Sequence, residues 1–269
     1  MKLDLNKKPL VIGMIHLPVT LSYDGWSGLN AFVNKAIRDL HSLENGGVDA
    51  ALIENDGDQP CQVKGTADVV ASMTVVAHEL AKIAKIPLGI EVLLNDPKAS
   101  LSIAKTCGLS FIRTDYFVDK MTREGYGEFD VDPLGLLTFQ HKIGAEDIKI
   151  LADVQVKYAT MIDKTKTIVE SAQEAMRFGA DGIIITGTKT GEKPVTIDIK
   201  AAKDAVDSRI PVLVGSGLSV KNTQELVKYA DGFIVGSAIK TGDFVDVLKV
   251  KSLIAEINDC RYIDHIKKT

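Results

Sequence analysis

Cysteine is scarce in this chain. Cys61, Cys107 and Cys260 are odd in number, far apart and never in C-x-x-C spacing. They form no disulfide framework and read as reduced thiols of a cytosolic protein. Basic charge is not in surplus: 32 Lys and Arg stand against 36 Asp and Glu, a net charge of −4. General polyanion binding, nucleic acid included, needs clustered basic surface and is not expected. Any anion site must be local, built from backbone amides and a few lysines. No apolar run approaches the roughly 20 residues that span a bilayer. The opening MKLDLNKKPL also lacks the apolar core of a secretory signal. Linkers and low-complexity tracts are missing too, which favours one domain over residues 1–269.

What the chain does contain is a sustained alternation of short apolar runs and helical periodicity. Strands are expected at residues 10–15, 50–54, 88–93, 111–115, 148–156, 182–186, 212–214 and 233–235. Helices are expected at 29–44, 67–83, 97–107, 133–143, 166–177, 197–206, 219–229 and 244–257. Eight β–α units in 269 residues favour a closed parallel barrel, an α/β fold of the (β/α)₈ TIM-barrel type, over an open sheet. Two connections exceed the usual few residues: 17–28 after strand 1, with Tyr23 and Trp26, and 116–132 after strand 4, with Arg123 and Tyr126. Both follow strand C-termini and suit either lids or subunit contacts, so a homo-oligomer is compatible with the sequence.

Strands 7 and 8 each stop at a Gly–Ser pair, Gly215-Ser216 followed by Gly217, and Gly236-Ser237. Glycines let the backbone approach an anion, and exposed amides at a helix start carry partial positive charge. The first pair leads into a helical segment beginning at Ser219. Consecutive turns of this kind resemble the phosphate cradle of many TIM barrels. Thr186-Gly187-Thr188, ending strand 6, would extend it. The expected partner is a small phosphorylated ligand.

In strand 5, KILADVQVKYA, alternation gives one wholly apolar face and puts Asp153, Gln155 and Lys157 on the other. The helix-facing side of a barrel must be apolar, so these three should point inward. Asp153 and Lys157 would lie roughly 13 Å apart along a strand, so twist or a loop must bring them together. Other strand ends contribute His16, Glu54, Glu91, Arg113 and Asp115. Asp153, Lys157, His16, Asp115 and Glu54 form the catalytic set, with Gln155 beside the phosphate residues. Glu91 and Arg113 fit either a buried structural network or the site. A single histidine at the catalytic face argues against a histidine zinc centre. No cofactor is expected. Mg²⁺ held by carboxylates is compatible with the residues, although no metal motif marks it.

The segments IGMIHLP, GGVDALIENDGDQP, GIEVLLNDP, FIRTD, ILADVQVKYA, ADGIIITGTKTGEKP and VLVGSGLSVKNTQEL with ADGFIVGSAIK resemble the BtpA family, which includes SgcQ-like proteins, over essentially the whole chain. The resemblance implies a phosphate-binding TIM barrel. Members are variously called photosystem I biogenesis factors, phosphoribosylanthranilate-isomerase-like proteins or sugar-operon proteins. Tyr158 stands where the family often has histidine, and Asp115 where asparagine is common. The expected function is acid–base chemistry on a sugar phosphate or nucleotide-like phosphate, in the isomerase, epimerase, aldolase or lyase class. The alternatives are a non-catalytic assembly or regulatory factor and a Mg²⁺-dependent phosphohydrolase or nucleosidase.

Overall fold

A computed structural model describes residues 1–266, with side chains to residue 260. Eight parallel strands close into a barrel: β1 Leu10–His16, β2 Ala50–Glu54, β3 Leu88–Glu91, β4 Phe111–Thr114, β5 Lys149–Asp153, β6 Gly182–Ile185, β7 Val212–Val214 and β8 Gly232–Val235. They follow one another around the barrel in chain order, and β8 pairs with β1 through Leu10–Gly232 to Gly13–Val235. Helices α1 Leu29–Gly46, α2 Ala67–Ile83, α3 Pro97–Cys107, α4 Pro133–Lys142, α5 Ile168–Arg177, α6 Thr196–Val206, α7 Thr223–Leu226 and α8 Val247–Ile266 intervene or follow. No described helix is long and apolar enough to cross a membrane.

Local chemistry sets the helix ends. Pro97 and Pro133 occupy first turns whose N-cap aspartates, Asp96 and Asp132, accept from Ala99 and Gly135 amides. Thr167 and Glu170 form a reciprocal capping box on α5. Gly47 closes α1 at φ 93°, a left-handed position that a β-carbon would strain.

Burial separates two apolar layers. One lies between strands and helices and includes Ile15, Ile53, Ile112, Ile150, Ile183 and Val214. The other fills the barrel with Leu10, Ile12, Met14, Leu52, Phe111, Leu151, Ile184, Leu213 and Ile234, and Leu3 plugs its amino-terminal end. Because side chains alternate with period 2, the interior residues one step further up are polar. His16 follows Met14, Glu54 follows Leu52, Arg113 follows Phe111 and Asp153 follows Leu151. The inner apolar layer therefore forms the floor of a charged chamber at the strand C-termini.

The two long connections are packed down. Met121–Arg123 pairs with Gly127–Glu128 and Thr160–Met161 in a small antiparallel sheet that ties the loops after β4 and β5 together. Beneath it Tyr116 stacks on Phe129, ring centroids 3.8 Å apart. The loop after β1 is held by buried Asp58, which accepts from the Thr20 amide at 2.7 Å and hydroxyl at 2.9 Å.

Candidate functional site

Arg113 stands at the centre of the chamber. It is only 4% exposed, and its Nε and Nη2 donate to both oxygens of Asp153 at 2.7 and 3.0 Å. Glu91, Asp115 and Glu54 lie 3.6, 3.7 and 3.8 Å away. Four carboxylates thus surround one guanidinium, and they cannot all be ionised cheaply. Burial pushes Glu91 well above the usual carboxylate range against the pull of Arg113, and it raises Glu54 in the same way. Neither oxygen of Glu91 meets a donor, and a proton carried by Glu91 would be offered to Glu54, whose rise it moderates. Burial also takes Asp153 up to about 6, again opposed by Arg113, which leaves that pair ionised at neutral pH.

A cavity of about 550 Å³ opens above this cluster. One wall is backbone, Gly215-Ser216-Gly217 and Gly236-Ser237; Glu54, Arg113, Lys157, Lys240 and the imidazole of His16 also line the cavity. A smaller adjoining cavity, about 240 Å³, shares Glu54, Arg113 and Lys157 and adds Glu91, Asp115 and Arg123. Glu54 faces both. Asp153 points into the barrel as strand alternation requires, yet lines neither cavity, because both its oxygens are taken by Arg113.

Several expectations for the cradle need correction. Thr186, Gly187 and Thr188 do not line the main cavity. Thr186 accepts from the Lys157 amide at 3.0 Å, the Gly187 amide donates to Ser216 Oγ at 2.9 Å, and the Thr188 hydroxyl bonds Glu192. Thr190, Gly191 and Lys193, further along the same loop, reach the wall instead. Ser216 Oγ is also spent inside the protein, donating to the Glu192 carbonyl at 3.0 Å. A β-carbon on Gly217, at φ +74°, would collide with the Glu192–Lys193 backbone, so this glycine makes room for the neighbouring loop. The helix after β7 begins at Thr223, not Ser219, and has four residues. Asn222 bonds the Ser219 amide and Gly217 carbonyl, holding the intervening turn open. A helix dipole therefore adds little there.

Strand 5 also ends earlier than the alternation of its residues suggests. The chain leaves the sheet after Asp153 and turns through Gln155 at φ 47° and Tyr158 at φ 63°. Buried Asp119 accepts the Gln155 amide at 2.8 Å, and the Gln155 side chain bonds the Lys166 carbonyl and Ser171 hydroxyl. Gln155 thus faces the helix layer, away from the cavity. The same turn swings Lys157 back over the chamber, where Nζ bonds Thr190 Oγ1 at 3.3 Å. Lys157 reaches the cavity through this fold-back and not through strand alternation.

His16, at the end of β1, meets Lys240 Nζ at 2.5 Å through Nδ1, with Asp56 3.6 Å from the same nitrogen. Lys35 bonds the His16 carbonyl and forms a 2.6 Å ion pair with buried Asp39. Burial first, then Lys240, Lys35 and Lys157, drive His16 down to about 4 against Asp56, so it is neutral at physiological pH. Asp56, Lys193 and Lys240 are site-lining residues that the sequence alone did not single out. Their shared signal is position just beyond a strand C-terminus, in loops the fold stacks over the barrel mouth.

Residues 6–259 match the BtpA family. The chain belongs to that family. It is 33% identical over 252 residues to the photosystem I biogenesis protein BtpA of Synechocystis, covering 91% of this chain and 86% of that one. An uncharacterised protein of Pyrococcus furiosus is 40% identical over 246 residues, 88% of each chain. Among solved structures, thiamine phosphate pyrophosphorylase from Pyrococcus furiosus superposes with a TM-score of 0.58 at 15% identity, over 95% of this chain and 98% of that one. KGPDC from Streptococcus mutans gives 0.57 at 14% identity, over 94% and 99%. At such identities the likeness is one of fold: a TIM barrel.

In this BtpA-family barrel the carboxylates converge on a guanidinium, not on an open point. Among the described residues no group of three or more His, Cys, Asp or Glu is placed to hold a metal ion. Cys61, near the chamber, donates to the Asp58 carbonyl at 2.7 Å, and burial pushes its thiol up to about 12. It is poorly suited to act as a nucleophile.

Proposed function

We propose that this BtpA-family protein is an enzyme that acts on a small phosphorylated metabolite by acid–base chemistry, in the isomerase, epimerase, aldolase or lyase class. One observation carries the reading: a single cavity has a Gly–Ser backbone wall with Lys157 beside it, and a carboxyl of raised pKa, Glu54, facing that wall. Backbone amides and a lysine suit a phosphate. A carboxyl whose pKa burial has raised is suited to give or take a proton. Glu54, sharing a proton with Glu91, is the acid–base group of this proposal. Lys157 stabilises the developing enediolate oxygen. Asp153 positions Arg113, and Asp115 borders the smaller cavity where the rest of the substrate would extend.

The test is mass spectrometry of small molecules released from the purified protein, followed by turnover assays on what is found and on a panel of sugar phosphates. Glu54→Gln should lower kcat by about 10²–10⁴-fold with little change in ligand affinity, the usual size of an acid–base contribution. Tight binding of a phosphorylated ligand without turnover would favour a non-catalytic role, such as the name of the Synechocystis relative gives that protein. Activity abolished by EDTA would favour a Mg²⁺-dependent hydrolase.

A further inference from the structure

We propose that Lys240 is a reactive amine that captures a carbonyl group of the bound ligand as an imine, with His16 as its proton partner. The proposal rests on the phosphorylated-metabolite reading above and narrows the substrate class to aldehyde- or ketone-bearing phosphates. Lys240 lies just past the second Gly–Ser turn, where the short 3₁₀ segment Ser237–Ile239 reverses the chain into the hairpin Lys240–Thr241 with Phe244–Val245. This places its side chain on the wall of the main cavity and of a second one of about 450 Å³ behind the β1 loop. A phosphate on the Gly236-Ser237 backbone would therefore sit close to the amine.

Three lysines line the main cavity, and their surroundings differ. Lys193 is paired with Glu225. Lys157 Nζ bonds the Thr190 hydroxyl and lies against the exposed Tyr158 ring, a setting suited to hold the charge of a ligand. Lys240 makes no ion pair among the described residues. Its amine faces His16 Nδ1 at 2.5 Å, and Lys35, Asp56, Asp39 and Glu54 surround it. Asp39 is already committed to Lys35 at 2.6 Å and to the Val245 amide at 2.9 Å. Burial, reinforced by the Lys35 charge, lowers the Lys240 pKa against the three carboxylates. A half-buried amine beside a second cation is the usual setting of a nucleophilic lysine. The neighbouring imidazole is neutral, and Nδ1 accepts from the amine.

The step balances without any co-reactant. The free Nζ lone pair forms a bond to the carbonyl carbon, and the C=O π pair moves to oxygen, which takes a proton from the Glu54 carboxyl. His16 Nδ1 removes a proton from the nitrogen. The nitrogen lone pair then forms C=N as the C–O bond breaks, and the hydroxyl leaves as water with the proton from His16. Amine, carbonyl and the Glu54 proton become a protonated imine and water, and Glu54 is left as the carboxylate. The protonated imine draws electrons from an adjacent C–H or C–C bond, the need common to isomerases and aldolases.

Pyridoxal 5′-phosphate, an aldehyde carrying a phosphate, is a suitable probe. The full-length protein is incubated with it, reduced with borohydride and mapped by peptide mass spectrometry. The expected result is one dominant adduct, on Lys240, lost in Lys240→Met, retained in Lys157→Met and suppressed by excess inorganic phosphate. His16→Asn should form the same adduct several-fold more slowly, a rate effect that a packing role alone would not produce; an unchanged rate would remove His16 from the proposal. Label on Lys157, or scattered over exposed lysines in the wild type, would overturn the assignment whether or not any variant folds. Pyridoxal without the phosphate separates the two readings. Equal labelling of Lys240 by both aldehydes, indifferent to phosphate, would leave the amine standing and remove the cradle. Phosphate-competed binding of pyridoxal 5′-phosphate with no Lys240 adduct would do the reverse.

Discussion

The two ends of the barrel treat buried and half-buried carboxylates in opposite ways. At the amino-terminal end Asp49, Asp181 and Asp231 each sit one residue before a strand and accept the amide of the strand alongside. The donors are Val11, Ile150 and Val212, at 2.8, 2.9 and 3.1 Å. Each also has its own cation: Lys7, Lys149, and for Asp231 both Lys8 and Lys203 at 2.9 Å. At the carboxyl-terminal end Glu54, Glu91, Asp115 and Asp153 share one Arg113. One donor set is complete and the other is short of positive charge. In TIM barrels the first face serves stability and the second chemistry, and here the carboxylate environments divide along that line. Burial works against the charge of Asp231, yet Lys8, the Val212 amide and Lys203 hold its pKa below the usual range; burial in the chamber drives Asp153 and Glu91 above it.

The largest effect expected is from Arg113→Met. It removes the cation on which the chamber depends and should cost about 3–5 kcal/mol at neutral pH, as when one partner of a buried ion pair is deleted. Urea melts check it, and the loss should shrink in acid as the carboxylates take up protons. Asp231→Asn at the other end should cost less, about 2 kcal/mol, for weakened hydrogen bonds to two lysines and an amide. If Asp231→Asn proved the more damaging, the contrast between the two ends would be wrong.

A smaller and sharper test uses pH. Asp153 rises from 3.8 to about 6 on folding, so the folded protein binds a proton the unfolded chain lacks, and this group lowers stability as pH climbs through that window. His16 falls from 6.5 to about 4, so the unfolded chain holds the extra proton, and stability rises with pH over an overlapping window. The two oppose each other. His16→Gln should leave the chamber carboxylates unopposed: stability should then fall by on the order of 1 kcal/mol between pH of about 4 and 6, where the wild type is nearly flat. A slope of the other sign would show that Arg113 holds these carboxyls down.

The chamber side of this contrast was legible in the sequence; the amino-terminal aspartates, bonded to amides of neighbouring strands, were not. Eight strand–helix alternations suffice for the closed barrel, because both periodicities are local properties of the chain. His16, Glu54, Arg113 and Asp153 follow from alternation continued one step above Met14, Leu52, Phe111 and Leu151. Gln155 and Lys157 did not follow, because the turn after Asp153 is fixed by Asp119 and Thr186, which are remote in sequence. Side-chain bonds to distant amides leave no periodic trace. The roles of Thr186 and Thr188 were hidden for the same reason, and Lys240 was hidden behind a 3₁₀ turn too short to show periodicity.

Glu91→Gln separates charge from shape in the chamber and should have the smallest effect of all in mild acid. The glutamate is buried, its pKa lies well above the usual range, and neither oxygen meets a donor, so the native side chain behaves as a neutral acid that a carboxamide imitates in size and donor capacity. The amide can offer Glu54 the hydrogen bond that a proton on Glu91 offers, and stability at a pH of about 4, where the unfolded chain also holds that proton, should change by no more than about 0.5–1 kcal/mol. The difference should open as pH rises above the usual glutamate value of 4.5, where the folded protein still holds a proton that the unfolded chain has released. There the wild type must either ionise Glu91 beside three other carboxylates or hold its proton at increasing cost, whereas the variant has nothing to lose. Urea midpoints should therefore diverge in favour of Glu91→Gln as pH rises. Parallel curves would mean that Glu91 is already ionised and that Arg113 alone neutralises more of the chamber than the shared proton allows. In that case Glu54 would lack the proton its acid role requires.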